Sequence, residues 1–272
     1  MKVGELTFKE LERAGWDSKA QVYNDLTGKV TFPATTAMLK AVLAGPGAML
    51  LDVGSGPGYG AGEAQKLGCT AVGVDIAPEM LAIARETYPA AAYQEGDAES
   101  LGFDDSVFDA VICPFGLLHL SEPDIAISEA NRVLKKGGVY AFTVWCGPDK
   151  HDFFKLVLKA MQEFGTQDVG LPSAPNIFRF SDHDECHRSL VASGFTDVQV
   201  SELPLVHHAE STSEIINMVY RGTVRTAMVL ERQSPEAAEA IENAIIVGAE
   251  NYKSGESYVL NWPAIMAVAK KA

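Results

Sequence analysis

The chain has 272 residues, 47% of them hydrophobic, which is enough for one large core or for a core with an inserted cap. Its formal net charge of -14 repels phosphate backbones and anionic lipids, so we expect neither a nucleic-acid partner nor a membrane partner. Four scattered cysteines without Cys-x-x-Cys spacing, and an N-terminus without a signal-peptide pattern, predict a soluble cytoplasmic protein.

The first half of the chain predicts a parallel sheet. Residues 1–47 are expected to form a helical lid, and from residue 48 short apolar runs alternate with helix-like segments, as in sheets with crossover helices on their faces. The five predicted strands are Met49–Val53, Ala71–Asp75, Ala91–Glu95, Phe108–Cys113 and Gly138–Trp145. We therefore expect an α/β fold, a Rossmann-like doubly wound sheet.

Proline and glycine positions indicate where the helices between these strands begin and end. Pro78 begins a helix that runs to Tyr88 before Pro89. A second helix is predicted over Asp124–Leu134, and Lys136-Gly137-Gly138 is expected to end it with a cationic last turn and a glycine cap.

The pattern changes after Trp145. Helices are predicted over Phe153–Phe164 and from a cap at Ser181 to Gly194, and strands over Val198–Val206 and Ser257–Val268. The last strand is expected to be antiparallel to the others, and because Pro263 interrupts it, an edge or a bulge suits it better than a sheet centre.

A helical insertion is predicted between the last two strands. Ser213–Glu231 and Pro235–Tyr252 are too long for a hairpin connection. We expect a single domain with its core at residues 48–210 and 253–272 and a helical cap insertion at 211–252. Arg221 and Arg225 recur at helical spacing on this cap, where they either hold an acidic group of a ligand or, more commonly for such residues, lie on a solvated face.

The first strand runs directly into a glycine-rich turn, Asp52-Val53-Gly54-Ser55-Gly56-Pro57-Gly58. Glycines let the backbone turn sharply and approach a ligand closely, which indicates a nucleotide site. The segment Gly56–Ala61 also fits the dinucleotide pattern G-x-G-x-x-A, and a tight turn without any ligand remains a third interpretation.

Two acidic positions follow at the ends of later strands. Asp75 ends the second strand, where a carboxylate can accept hydrogen bonds from both ribose hydroxyls, a role that nicotinamide enzymes share. Asp97 and Ala98, within Gly96-Asp97-Ala98-Glu99, follow the third strand, where an acidic side chain can accept from an adenine amino group while a neighbouring amide donates to the ring.

These motifs, with Phe108-Asp109-Ala110-Val111 and Arg132-Val133-Leu134-Lys135-Lys136-Gly137-Gly138, resemble the class I S-adenosylmethionine-dependent methyltransferases in order and spacing. The likeness is to the ubiquinone/menaquinone-biosynthesis-like branch that acts on small molecules, although Lys136 stands where relatives usually have proline. The resemblance implies O-, C- or N-methylation of a small-molecule metabolite by in-line displacement, with S-adenosyl-L-methionine as cofactor. We expect a monomer or a homodimer.

The resemblance also implies roles for individual residues. The glycine turn would hold the methionine end of the cofactor, Asp75 the ribose and Ile76 the adenine, while Trp16 and Tyr23 would close over the methionine carboxylate. The implied cofactor-binding residues are Trp16, Tyr23, Asp52, Gly54, Ser55, Gly56, Gly58, Asp75, Ile76, Met80, Gly96, Asp97, Ala98, Cys113 and His119.

Two histidines are candidate catalytic residues, because a hydroxyl acceptor needs a general base. His119, just past the fourth strand, lies on the side where open α/β sheets bind ligands, and it is either that base or a residue that packs on the cofactor. His151, after the fifth strand, either faces the acceptor pocket or lies in a solvent-exposed loop, the commoner outcome.

The other histidines predict no chemistry. His183 and His187 share a helical face, but the intervening residues do not form a metal-binding motif, and no metal site is predicted. His207 and His208 are neighbours in a strand, so at most one of them faces inward.

Two alternative functions remain open. The first is an NAD-dependent oxidoreductase on a similar fold, against which Asp97 and the paired C-terminal strands argue. The second is a non-catalytic protein that binds the cofactor, because methyl transfer requires no diagnostic side chain.

Overall fold

The computed structural model describes residues 6–272, so the first five residues of the predicted lid lie outside the described range. The helices are α1 (Phe8–Tyr23), α2 (Thr27–Ala41), α3 (Tyr59–Lys66), α4 (Pro78–Thr87), α5 (Pro123–Val133), α6 (Asp152–Phe164), α7 (His183–Ala192), α8 (Thr212–Gly222), α9 (Arg225–Leu230) and α10 (Pro235–Ala249). The strands are β1 (Met49–Val53), β2 (Thr70–Asp75), β3 (Ala92–Glu95), β4 (Phe108–Pro114), β5 (Leu134–Trp145), β6 (Phe195–Leu203), β7 (Val206–Ala209), β8 (Lys253–Ser254), β9 (Ser257–Asn261) and β10 (Ala264–Lys271). Within residues 6–272, no helix is both long and apolar enough to span a membrane.

Seven strands form the central sheet, in the order β3-β2-β1-β4-β5-β10-β6. Strands β1 to β5 are parallel, and β10 runs antiparallel to both of its neighbours, β5 and β6. The predicted doubly wound sheet, mostly parallel with a C-terminal antiparallel strand, is confirmed. The strand order reverses between β1 and β4, which leaves a crevice at their carboxyl ends, the usual ligand site of such sheets.

The apolar runs of the sequence correspond to the buried middle of this sheet. Strands β1 and β4 are almost entirely buried because helices cover both faces, whereas the edge strand β3 is mostly exposed. One apolar layer joins the sheet to α2 and α3, and the other joins it to α5, α6 and α7.

Both strands predicted in the second half are each divided in two. The segment predicted as Val198–Val206 forms β6 and β7, and the segment predicted as Ser257–Val268 forms β9 and β10. Strands β7, β9 and β8 form a second, three-stranded sheet, so each division is a passage between sheets.

The expectation that Pro263 marks an edge strand or a bulge is wrong, because the chain passes from one strand to another at this residue. Strand β10 begins at Ala264 and lies second from the edge, between β5 and β6. Pro263 lies in the link between β9 and β10, where its missing N–H removes no hydrogen bond from either ladder, and its carbonyl accepts from Cys146 N at 3.1 Å.

The glycine cap predicted after α5 is also wrong. The helix ends at Val133, and Lys136-Gly137-Gly138 lies within β5, where Gly137 has φ +77° and the register with β4 shifts. These residues form an irregularity at the start of the strand, which a left-handed glycine permits.

Two helix boundaries differ from the predicted ones. The N-cap of α7 is Asp182 rather than Ser181, because the Asp182 carboxylate accepts from the backbone N–H groups of Asp184 and Glu185. The segment predicted as one helix over Ser213–Glu231 forms two helices: α8 ends at Gly222 and α9 begins at Arg225.

Of the two adjacent histidines in β7, His207 is buried and His208 is exposed, as the strand alternation predicts.

The structure places His151 in neither of the two predicted positions. Its side chain is 0% exposed, and Nδ1 caps α6 by accepting from Phe154 N at 3.4 Å. The ring lies against Trp145 and Trp262, at centroid distances of 5.5 and 5.0 Å, and Nε2 is buried with no hydrogen-bond partner among the described residues. Burial lowers the pKa of His151 to about 3, so the ring is neutral at physiological pH.

This buried histidine predicts a pH-dependent stability. The folded protein keeps His151 neutral down to about pH 3, whereas the unfolded chain protonates it near its ordinary value of 6.5, so the unfolded state binds more protons in this window and stability falls as the pH falls. Between about pH 7 and pH 5, we expect the wild type to lose about 2 kcal/mol more of its free energy of unfolding than His151→Asn, which retains a good capping residue.

Urea titrations at the two pH values measure this difference. His187→Asn, at an exposed position of α7, is the control and should lose as much stability as the wild type. Equal losses in all three proteins would contradict the assignment.

Candidate functional site

A cavity lies at the carboxyl ends of β1, β2 and β4, beneath α1 and the α8–α9 junction. Most of the residues implied by the resemblance line it. These are Trp16, Tyr23, Gly54, Gly56, Asp75, Ile76, Met80, Gly96, Asp97, Ala98, Cys113 and His119. The structure does not bring Asp52, Ser55, Gly58 or His151 to the cavity wall.

The glycine turn after β1 has a shape that L side chains rarely adopt. Gly54 and Gly56 have φ values of +66° and +52°, and the N–H groups of Gly54 and Ser55 both donate to Val74 O, at 2.8 and 3.0 Å. A Cβ on Gly56 would project into open space with no atom within 4 Å. The turn therefore provides an open cradle for a ligand, which fits the predicted cofactor.

Asp75, the residue implied for the ribose, lines the cavity beside the glycine turn. Its Oδ2 accepts from Gly56 N and its Oδ1 from Ala77 N, both at 2.8 Å, so the carboxylate is fixed beside the turn. Each oxygen retains a lone pair for a ligand hydroxyl. Burial raises the pKa of Asp75, and the two backbone hydrogen bonds oppose that shift.

Asp52 lies below the cradle instead of inside it. Its Oδ2 accepts from Ala61 N at 2.8 Å, which joins the end of β1 to the first turn of α3, and its Oδ1 is buried without a partner in the described chain. Burial raises the pKa of Asp52 to about 7. Ser55 Oγ is likewise buried and unpartnered, and Gly58 is the N-cap of α3 with φ +87°.

Helix α1 contributes two charged residues that the sequence motifs did not identify, Lys9 and Glu12. Lys9 Nζ donates to Asp97 Oδ2 at 2.6 Å and also to Glu99, which ties α1 to the loop proposed for adenine. The sequence contained a signal for both, because Lys9 precedes Glu12 by three residues and Glu12 precedes Trp16 by four, a spacing that places side chains on one helical face.

The buried Glu12 carboxylate contacts the imidazole of His119. Glu12 Oε2 lies 2.8 Å from His119 Nδ1, and the Trp16 ring packs edge-on against the imidazole at 4.9 Å. With Glu12 ionised, Nδ1 donates to it, and Nε2 is the nitrogen that can accept a proton. The contact fixes both the orientation and the tautomer of His119.

An apolar wall follows β4. Phe115 has φ +54°, a left-handed conformation that is uncommon for an aromatic residue, and its ring stacks on Trp145 with centroids 4.0 Å apart. Both residues and Phe154 line the cavity. Cys113 lines it as well, but burial raises the pKa of its thiol to about 12, so it stays protonated and is no nucleophile.

Known proteins similar in sequence to this chain include methyltransferases. A family model described as a methyltransferase domain matches residues 51–142. Demethylmenaquinone methyltransferase of Renibacterium salmoninarum is 29% identical over 175 residues, which are 61% of this chain and 74% of that protein. Demethylmenaquinone methyltransferase of Chlorobaculum tepidum is 42% identical over 90 residues, which are 33% of this chain and 37% of that protein.

Solved structures share the fold. Phosphoethanolamine N-methyltransferase 2 of Haemonchus contortus, solved with S-adenosyl-L-methionine, has a TM-score of 0.59 and 20% sequence identity, covering 98% of this chain and 60% of that one. The family model covers the glycine turn, Asp75 and Asp97, whereas α1 and the α8–α9 junction lie outside the matched residues.

The position of Asp75 predicts a loss of cofactor affinity on substitution. Asp75→Ala removes charge-assisted hydrogen bonds to the ribose and should weaken binding of S-adenosylhomocysteine by about 1 to 3 kcal/mol, measured by calorimetry. Glu79→Ala, at an exposed position in the first turn of α4, is the acidic control and should bind as the wild type does. An unchanged dissociation constant in Asp75→Ala would remove this residue from the site.

Proposed function

This chain belongs to the class I S-adenosylmethionine-dependent methyltransferases, in the branch related to ubiquinone and menaquinone biosynthesis, and on that premise we propose that it methylates a hydroxyl of a small, ring-containing acceptor. The observation that supports a hydroxyl as the methylated group is the 2.8 Å contact between Glu12 and His119 in the cavity wall. A hydroxyl is a weak nucleophile that gains from a positioned base, whereas an amine or an activated carbon can react through alignment alone.

The cofactor supplies a methyl group on a positively charged sulfonium, and its product is S-adenosylhomocysteine. The contribution of the chain is alignment and the exclusion of water. The glycine turn and Asp75 would hold the cofactor, Lys9 would keep Asp97 in place for adenine, and the stacked Phe115 and Trp145 would hold a flat acceptor.

His119 is the proposed base. As the new O–C bond forms, Nε2 of His119 takes the hydroxyl proton, and the imidazolium is stabilised by the carboxylate of Glu12 through Nδ1–H. Glu12 is thus a positioning residue, and the proton leaves to solvent after the product departs. This arrangement requires no covalent enzyme intermediate.

The cavity walls favour an acceptor that contains a ring. The names of the relatives and structural neighbours range from demethylmenaquinone to phosphoethanolamine methyltransferases, so they favour no single acceptor. Besides Trp16 and Tyr23, which the resemblance assigns to the cofactor, the walls carry four aromatic side chains, Phe8, Phe115, Trp145 and Phe154, and such rings pack best against another flat apolar body.

We also propose that residues 6–47, the described part of the predicted lid, act as a lid and residues 211–252 as a cap. Trp16, Glu12 and Lys9 of α1 line the cavity opposite the glycine turn, and Thr223 to Thr226 line it from the α8–α9 junction. Both segments therefore face the position proposed for the acceptor.

Substitution of the proposed pair should separate catalysis from binding. His119→Asn is expected to lower kcat for a phenol acceptor by roughly 10² to 10⁴-fold, and Glu12→Gln by a smaller factor, while S-adenosylhomocysteine affinity changes little. The loss should shrink for a nitrophenol in alkaline buffer, because an acceptor that is already ionised needs no base. Transfer of a labelled methyl group measures the rates.

His187→Asn, at an exposed position outside the cavity, is the control and should retain full activity. If His119→Asn weakens S-adenosylhomocysteine binding as much as it lowers turnover, His119 packs on the cofactor and is not the base. Calorimetry with NAD tests the oxidoreductase alternative: tight NAD binding without binding of S-adenosylhomocysteine would overturn the methyl-transfer proposal.

A further inference from the structure

The cap side of the cavity carries a cation that methyl transfer itself does not use. Arg225, the first residue of α9, lines the cavity. Its Nη2 donates to the backbone carbonyl of Pro172 at 2.7 Å, and its Nη1 is buried without a hydrogen-bond partner in residues 6–272. An unpaired guanidinium N–H in a buried position is costly, which points to an acceptor atom that a ligand would bring.

Contacts with the N-terminal helices hold this arginine at the cavity. Thr27 Oγ1 of α2 donates to Gly222 O at 2.7 Å, and Lys19 Nζ of α1 donates to Tyr220 O. Gly15 has no side chain where Val224 packs, since a Cβ there would lie 2.3 Å from the valine methyl group. These contacts fix the residues that flank Arg225 against the lid.

The surroundings of Arg225 favour a singly charged partner. Burial lowers the pKa of Arg225 and the charge of Glu12 opposes that shift, and a guanidinium with such a high ordinary pKa stays cationic. Near Arg225, Glu12 contributes a negative charge and Arg232 a positive one, while the net charge of -14 on the whole chain repels a doubly charged phosphate more than a carboxylate. A carboxylate also matches the fork of guanidinium N–H groups.

We propose that Arg225 binds a carboxylate of the methyl acceptor, so that the acceptor is an aromatic hydroxy acid with its hydroxyl toward His119 and its carboxylate toward the cap. The inference deepens the proposed function and rests on it. Both residues line one cavity, and Glu12 acts on both, through its contact with His119 and through its charge near Arg225.

The experiment pairs each acid with its amide. Hydroxybenzoates, hydroxycinnamates and hydroxynaphthoates and their carboxamides are assayed for transfer of a labelled methyl group, and their binding to the complex with S-adenosylhomocysteine is measured by calorimetry. In the wild type, we expect the best acid to exceed its amide in kcat/KM by roughly 10-fold to 100-fold, mostly through KM.

Arg225→Met should reduce the ratio of kcat/KM for the acid to kcat/KM for its amide to about one, and Arg225→Lys should restore part of this preference. Arg221→Met, at an exposed position of α8 on the same cap, is the matched control and should keep the wild-type ratio. Loss of the Pro172 contact alone would lower kcat/KM equally for the acid and for its amide. The ratio of the two kcat/KM values therefore separates ligand binding from a structural role of Arg225.

Two outcomes would overturn the inference: amides that equal acids in the wild type, or an acid preference that survives in Arg225→Met. Failure of the proposed function is distinguishable, because calorimetry still reports whether acids bind through Arg225 when no methyl is transferred. If no acid binds at all, the carboxylate inference is wrong.

Discussion

The hydrogen bond from Gly56 N to Asp75 Oδ2 connects the two parts of the protein on which the cofactor half of the site depends. This bond joins the turn after β1 to the end of β2. The turn has its shape because Gly54 and Gly56 adopt positive φ values. The same turn is held from below, where Asp52 binds the first turn of α3. A rigid floor is thus built from backbone amides and two carboxylates.

The opposite wall has a different origin. Lys9, Glu12 and Trp16 come from α1, and Arg225 comes from the α8–α9 junction, so this wall is assembled from segments outside the residues that the methyltransferase family model matches. Packing between Gly15 and Val224 brings these two segments together. The floor lies within the residues that the methyltransferase family model matches, which supports the proposal that the wall selects the acceptor.

This division explains what the sequence could predict. The parallel core was predictable because buried strands are continuous apolar runs between glycine and proline positions, and Asp75 and Asp97 were predictable because they follow such strands. Strands β7 and β9 were not, because an apolar run does not tell which sheet it joins. The burial of His151 depends on Trp262, which is distant in sequence, so no local pattern could reveal it.

The partners of the site residues were hidden for the same reason. Glu12 and His119 are joined only by the tertiary fold, and neither belongs to a motif that names the other. Spacing along α1 indicates a shared face with Trp16, but the identity of what that face contacts depends on the path of the chain after β4. Pairing between distant elements is therefore the information that structure adds here.

The charges that line the cavity differ between the floor and the cap. At the floor, the Asp75 carboxylate lines the cavity, and Asp52 lies beneath it, where burial raises its pKa to about 7 and the charge of Asp75 adds to that rise. At the cap, Arg225 is the complementary charge, and the Glu12–His119 pair lies on the wall between. A cationic methyl donor and an anionic acceptor would each bind at the end that compensates its charge, which would orient the two reactants toward each other without a dedicated group at the transferred methyl.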